Sequence, residues 1–164
     1  MIGAVVLAAG ASTRYGRPKQ WELLPAVLER LSRSALDEVV VVEGAHPLSS
    51  TEVHVVRCAD WERGPGASLR CGLGALGDDV THAVVVLADG PELDPRAVAR
   101  VLEHRDAAEV VAASYDGTRN HPVVLSRSVW ATIPDEGARA LEPFLVDCSD
   151  LEPPGDVDVP RAAF

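Results

Sequence analysis

At 164 residues, 47% of them hydrophobic and 24% charged, the chain has the size of one domain spanning 1–164, able to bury about two thirds of its unfolded surface. A net charge of −10 excludes a nucleic-acid backbone as principal partner, which would call for a basic face, and no apolar run is long enough to span a membrane. Lacking a basic-then-apolar leader as well, the chain is expected in the cytoplasm.

In chain order, residues 2–7 form a short apolar run centred on Val5 and Val6, the pattern of a strand buried on both faces. It enters Ala8, Ala9 and Gly10, small residues that let a ligand approach the main chain. Ser12, Thr13 and Gly16 continue a polar loop in which Arg14, Arg17 and Lys19 supply positive charge. A helix is expected over 25–33, with Pro25 suited to its first turn. Strands follow at 38–43, where Val39 to Val42 are continuous, and at 53–57. Gly64, Pro65 and Gly66 lead into a helix over 67–76, and 82–88 is another apolar strand. Asp94 caps a helix that has Pro95 first and runs to His104. Strands at 109–113 and 123–125, a helix over 126–133, a short helix over 137–141 and a strand at 145–147 complete the pattern. The Pro- and Asp-rich stretch 152–164 is expected to lie over the surface. Alternating apolar strands and amphipathic helices predict a single-domain, three-layer α/β/α sandwich with a mostly parallel, Rossmann-like sheet. Cys58, Cys71 and Cys148 are odd in number and lack C-x-x-C spacing, so they read as reduced, mostly buried thiols. Trp21, Trp61 and Trp130 read as packing or edge residues.

Lys19 is the only lysine among fifteen cationic side chains. A compact ammonium suits phosphate oxygens where a planar guanidinium fork does not, and loop amides beside cations make an anion cradle. Five residues separate Gly10 from Gly16, and Lys19 comes three later, so this is no Walker A loop; G-x-G-x-x-G is also absent. The loop is either a phosphate site of a third kind or a basic surface loop. In open parallel sheets ligands bind beyond the carboxyl ends of the strands, where this loop and Asp89 both fall. A carboxylate there weakens anion binding unless a cation such as Mg²⁺ lies between them. Asp89 before Gly90-Pro91 reads either as that metal ligand or as a turn-initiating residue. Ser68 offers a hydroxyl near a helix start, where free amides meet a base or ribose; it also fits an ordinary first turn.

The segment Leu7-Ala8-Ala9-Gly10-x-Ser12-x-Arg14-x-Gly16-x-x-Lys19 resembles the opening signature of the MobA-like nucleotidyltransferases, within them the molybdenum cofactor cytidylyltransferase branch. The resemblance continues through Gly66-Ala67-Ser68-Leu69-Arg70-Cys71-Gly72, Leu87-Ala88-Asp89-Gly90-Pro91, Asn120-His121-Pro122-Val123-Val124 and Asp156-Val157-Asp158-Val159-Pro160. It covers nearly the whole chain and implies a nucleotide-diphospho-sugar transferase type of fold. It implies that Arg14 and Lys19 act on the phosphates, that Leu7, Ala8, Ala9, Gly10, Ser12, Lys19, Gly66, Ser68 and Arg70 bind the nucleotide, and that Asp89 and Asp158 hold Mg²⁺. Asp156 is the reserve for Asp158, and a solvated acidic tail is the competing reading of both. His121 is placed at the acceptor side, against a purely structural role. Leu-Ala-Ala-Gly goes with cytidine in the family and Leu-Ala-Gly-Gly with guanosine, so CTP is favoured over GTP. Molybdopterin is the implied acceptor, and a molybdoenzyme or its maturation factor the implied protein partner.

The implied reaction is attack by an acceptor phosphate oxygen on the α-phosphorus of a nucleoside triphosphate, with pyrophosphate leaving. That oxygen is already anionic, which suits a sequence with no evident catalytic triad. Departures keep two other readings open: the chain passes from Gln20 straight into Trp21-Glu22-Leu23-Leu24-Pro25, Tyr15 and Gly90 replace the usual residues, and Asn120 stands where the family has Gly. These are a non-catalytic nucleotide- or molybdopterin-binding accessory factor, and a nucleotidyltransferase acting on a sugar 1-phosphate or phospholactate.

Overall fold

The computed structural model describes residues 1–10, 19–47 and 53–155, with the backbone alone for 19–21. Seven strands form one sheet: β1 (Ile2–Ala8), β2 (Glu38–Glu43), β3 (His54–Arg57), β4 (His82–Leu87), β5 (Val110–Tyr115), β6 (Thr118–Ser126) and β7 (Phe144–Asp147), in the order β3-β2-β1-β4-β6-β5-β7. Only β6 runs antiparallel to its neighbours. Among the described residues the α-helices are α1 (Lys19–Leu31), α2 (Pro65–Ala75) and α3 (Pro95–Glu103).

The continuous Val-rich strands are buried because helices cover both faces. On one face Ala4, Val6 and Val84 pack against Leu24, Val27 and Leu31 of α1 and Val98 and Val101 of α3. On the other, Val5, Val40 and Val85 pack against Leu69 and Leu73 of α2 and against Trp130 and Ile133. The expected three layers and mostly parallel sheet are therefore present. At the start of α3 the Asp94 carboxylate accepts the Arg96 N–H at 2.8 Å. Asp94→Ala is expected to cost about 1 kcal/mol, read as a shift in the urea midpoint.

Several boundaries differ from expectation. α1 begins at Lys19, so Pro25 lies inside the helix and not in its first turn. An interior proline costs about 3 kcal/mol by removing a backbone bond and crowding the preceding turn. Burial of Leu24, Val27 and Leu31 works against that cost. β6 is longer than 123–125, because Thr118, Arg119 and Asn120 pair with Tyr115, Ser114 and Ala113 across an irregularity in β5. The helices expected over 126–133 and 137–141 are 3-10 turns, Arg127–Thr132 and Ala138–Ala140. Of the stretch expected over the surface, 152–155 are described: Glu152 and Pro153 are exposed, whereas Pro154 is buried and its carbonyl accepts the Glu92 N–H at 2.9 Å.

The cysteine expectation also needs correction. Cys58, just after β3, and Cys71, in α2, are joined as a disulfide with Cα atoms 5.9 Å apart, leaving Cys148 free and buried. Folding brings α2 against the end of β3, a proximity that a separation of 13 residues does not announce. Among the described residues, no helix is long and apolar enough to cross a membrane.

Candidate active site

Parallel pairing of β1 with β4 sets Leu7 opposite Leu87, and the Ala88 N–H donates to the Leu7 carbonyl at 3.0 Å. Two chain segments thus leave the sheet side by side at its carboxyl edge: Ala8, Ala9 and Gly10 from β1, and Asp89 from β4. Ala8 and Ala9 are buried and Gly10 is exposed. The Ala9 carbonyl accepts from Ala45 N–H at 3.3 Å, which ties the start of the loop to the chain leaving β2. Ser12 and Arg14 lie outside the described residues, as does the side chain of Lys19; the Lys19 backbone opens α1. Asp156 and Asp158 also lie outside them.

β6 approaches the same edge from the opposite direction. Its antiparallel register with β4, Val85 opposite Val123, carries the preceding residues past the end of β4. His121 arrives beside Asp89, and its carbonyl accepts the Tyr115 hydroxyl at 3.1 Å. Burial pushes the imidazole down to about 4; the Asp89 carboxylate works against the shift and the Arg119 guanidinium adds to it. The ring is therefore neutral at pH 7. What remains of its exposure faces two cavities.

The larger cavity, about 300 Å³, has an apolar floor that includes Leu7, Leu69, Val85, Leu87 and Val123. The second, about 260 Å³, lies between Leu87, Gly90, Leu93 and Pro154. Arg119, Asn120 and His121 border both. The tail passes this edge: a Cβ on Gly90 would lie 3.1 Å from Pro154 Cβ and 3.3 Å from the Gly155 carbonyl oxygen.

At the entrance to α2, Ser68 is 3% exposed, and among the described residues no partner engages its hydroxyl. The α2 start is otherwise occupied. The Gly66 N–H donates to the Asp135 carbonyl at 2.9 Å. Arg70 donates to the Ile133 carbonyl and to the Asp135 carboxylate, each at 2.6 Å. The bonded Arg70 guanidinium holds the Asp135 carboxyl below the usual carboxylate range, and Arg63 adds to this. Among the residues named from sequence, Leu7, Ala8, Ala9, Gly10, Asp89 and His121 therefore meet at one edge. Gly66 and Arg70 face the 133–137 segment.

Sequence reasoning did not single out Arg119, Glu136 or Arg139, all of which border the larger cavity. A cation beginning a strand, immediately before Asn120 and His121, was the one available signal. Glu136 and Arg139 fall in a polar stretch that reads as an ordinary turn.

The donor set suits a divalent cation shared with substrate oxygens better than a closed protein cage. Asp89 is half-buried at the strand end, and among the described residues no group of three or more His, Cys, Asp or Glu side chains converges. Mg²⁺ typically takes one or two carboxylates and completes its shell with water and phosphate oxygens.

No curated protein matches the sequence significantly. Among solved structures, Rv0371c from Mycobacterium tuberculosis H37Rv is 29% identical with a TM-score of 0.76, the match covering 97% of this chain and 94% of that one. The same protein in complex with manganese matches at 27% identity and a TM-score of 0.69, covering 89% of this chain and 88% of that one. A nucleotidyl transferase from Methanothermobacter thermautotroptrophicus shares the fold, with 22% identity, a TM-score of 0.72 and coverage of 91% and 88%. The sequence model of the MobA-like NTP transferase domain matches residues 4–144. With the strand order and the edge just described, this match makes the chain a member of the MobA-like NTP transferase family, within the nucleotidyltransferases.

Proposed function

We propose that the protein transfers a nucleoside monophosphate from CTP to a phosphate acceptor of the molybdopterin class, releasing pyrophosphate. The observation that carries this reading is the meeting of Ala8–Ala9–Gly10, the start of α1, Asp89 and His121 at one carboxyl edge of the sheet, beside two cavities. In the reaction an acceptor phosphate oxygen forms a bond to the α-phosphorus, and the bond from that phosphorus to the bridging oxygen of the β-phosphate breaks. No proton need be removed from the nucleophile, which agrees with a neutral, half-buried His121 serving to shape the acceptor side.

In this reading Arg14 and Lys19 neutralise the phosphates, and Ala8, Ala9, Gly10, Ser12 and Ser68 take the nucleoside. The place of Ser68 in the first turns of α2 supports the nucleoside role, because free amides and a hydroxyl there can meet a base or ribose edge. Asp89 and Asp158 would hold Mg²⁺. Such an ion, when bound, supplies charge neutralisation on the transferring phosphate. The manganese complex of Rv0371c supports a divalent site, and the passage of Gly155 against Gly90 brings the chain leading to Asp158 close to Asp89. The apolar floor of the larger cavity favours a flat, ring-bearing acceptor over a sugar 1-phosphate, whose hydroxyls would lose hydration without matching donors and acceptors. The preference for CTP rests on Leu7-Ala8-Ala9-Gly10.

Calorimetric titration with CTP and GTP, with and without Mg²⁺, tests the reading. Mg²⁺-dependent binding that favours CTP is expected; binding of neither nucleotide would leave a molybdopterin-handling accessory factor as the better description. Lys19→Ala should lower turnover about 10²-fold with an unchanged melting temperature, and near-normal turnover would remove Lys19 from the phosphate site.

A further inference from the structure

The segment from Ile133 to Leu141 crosses the mouth of the larger cavity, and three arginines from different elements hold it there. At one end, Arg70 of α2 bonds the Ile133 carbonyl and the Asp135 carboxylate, each at 2.6 Å, and Arg63 reaches the second Asp135 oxygen at 3.4 Å. At the other, Arg119 of β6 donates to the carbonyls of Ala138 and Leu141, each at 2.8 Å. Between these ties, the Gly137 N–H donates to the Pro134 carbonyl at 2.9 Å, a bond that tightens the turn. The seat is unusually close. A Cβ on Gly66 would lie 1.6 Å from the Pro134 carbonyl oxygen, and one on Gly64 would lie 2.4 Å from that of Asp135.

This strap supplies Glu136, Gly137, Ala138 and Arg139 to the cavity wall, opposite the apolar floor of Leu69 and Val123. Glu136 is the carboxylate among the lining residues, whereas Arg119, Asn120, Arg139 and the neutral His121 make up the rest of the polar rim. A carboxylate offers two acceptor oxygens, which match an amino group beside a ring N–H on a flat heteroaromatic; the arginines match an anionic substituent on that ring.

Resting on the proposed function, we infer that the 133–141 strap is the specificity-determining wall for the acceptor, with Glu136 reading a donor pair on an amino-oxo heteroaromatic ring and with Arg70 and Asp135 as positioning residues that hold the wall in register. Arg70 then acts on the acceptor through the strap and makes no contact with the nucleotide.

Pterin-6-carboxylate is the probe, followed by its own fluorescence polarisation, in parallel with calorimetry of Mg²⁺·CTP. The unaltered protein should bind it. Glu136→Gln should weaken the pterin about tenfold, since one matched acceptor becomes a mismatched donor. Arg70→Ala and Asp135→Ala should weaken it by a similar factor, with Arg70→Lys recovering part of the loss, and in Asp135→Ala CTP affinity should stay within about twofold. Hydrogen exchange at Gly66, Gly137 and Leu141 identifies a released strap in a protein that still melts cooperatively; Glu136→Gln leaves the clamp intact and serves even if Arg70→Ala does not fold. No pterin binding by the unaltered protein, pterin affinity unchanged in Glu136→Gln, or CTP affinity falling in step with pterin affinity in Asp135→Ala would each overturn the inference. Failure of the proposed function is separately visible as absent CTP binding with the pterin pattern intact.

Discussion

Asp89→Asn is expected to lower turnover about 10³-fold, because a neutral amide removes the charge that would hold a divalent cation against the substrate phosphates. The side chain is half-buried in the turn after β4, and Asn keeps its size and turn preference, so the melting temperature should change little. The informative measurement is CTP affinity with and without Mg²⁺ in both proteins. The unaltered protein should gain affinity from the metal, whereas Asp89→Asn should bind CTP alike in its presence and absence. Turnover within tenfold of normal in the variant, with metal dependence retained, would move the metal site away from Asp89 and leave it as a turn residue.

Gly66→Ala should have the largest effect on the fold for its size. The added methyl would meet the Pro134 carbonyl oxygen at 1.6 Å and its carbon at 2.6 Å, both backbone atoms that cannot rotate aside. The strap must therefore lift, which breaks the Gly66-to-Asp135 backbone bond and disturbs the Arg70 tie. A loss of about 2–4 kcal/mol follows from overpacking together with a broken buried bond. Gly74 in the same helix provides the control: a Cβ there meets nothing within 4 Å. Gly74→Ala should stabilise the protein by about 0.5 kcal/mol, the low end of the helix-interior gain, because Gly74 lies in the last turn of α2. Chemical denaturation of both variants separates steric from backbone-entropy effects. A Gly66→Ala protein as stable as the Gly74→Ala one would mean that the strap does not sit on α2.

The two results bear on the same edge of the sheet from opposite sides. Asp89 and the Ala8–Gly10 segment follow strands locked in parallel register, so in the proposed reading the nucleotide side rests on the centre of the sheet. In the same reading the acceptor side rests on β6 and a strap held by arginine side chains. Acceptor choice can accordingly change through residues of the strap without disturbing the nucleotide edge, a division that the Arg70 and Glu136 variants examine directly.

The amino-acid sequence by itself determined the strands 38–43 and 82–88 almost to the residue, because runs of valine between polar ends suit only a doubly covered strand. It also determined β1 to within one residue and the place of Asp89 just after β4, since both depend on local order along the chain. The start of α1 was obscured by Pro25, whose local penalty is outweighed by packing of Leu24, Val27 and Leu31. The polar first half of β6 was equally hidden: Thr118, Arg119 and Asn120 are strand residues only because β5 lies beside them. Only the tertiary structure decided the Cys58–Cys71 pairing, the burial of His121 beside Asp89, and the strap on which Arg70, Arg119 and Glu136 converge. Each of these joins residues far apart in the chain through side-chain reach and backbone proximity. Periodicity and composition report the neighbours a residue has along the chain; the neighbours it meets across the sheet are set by register and helix packing.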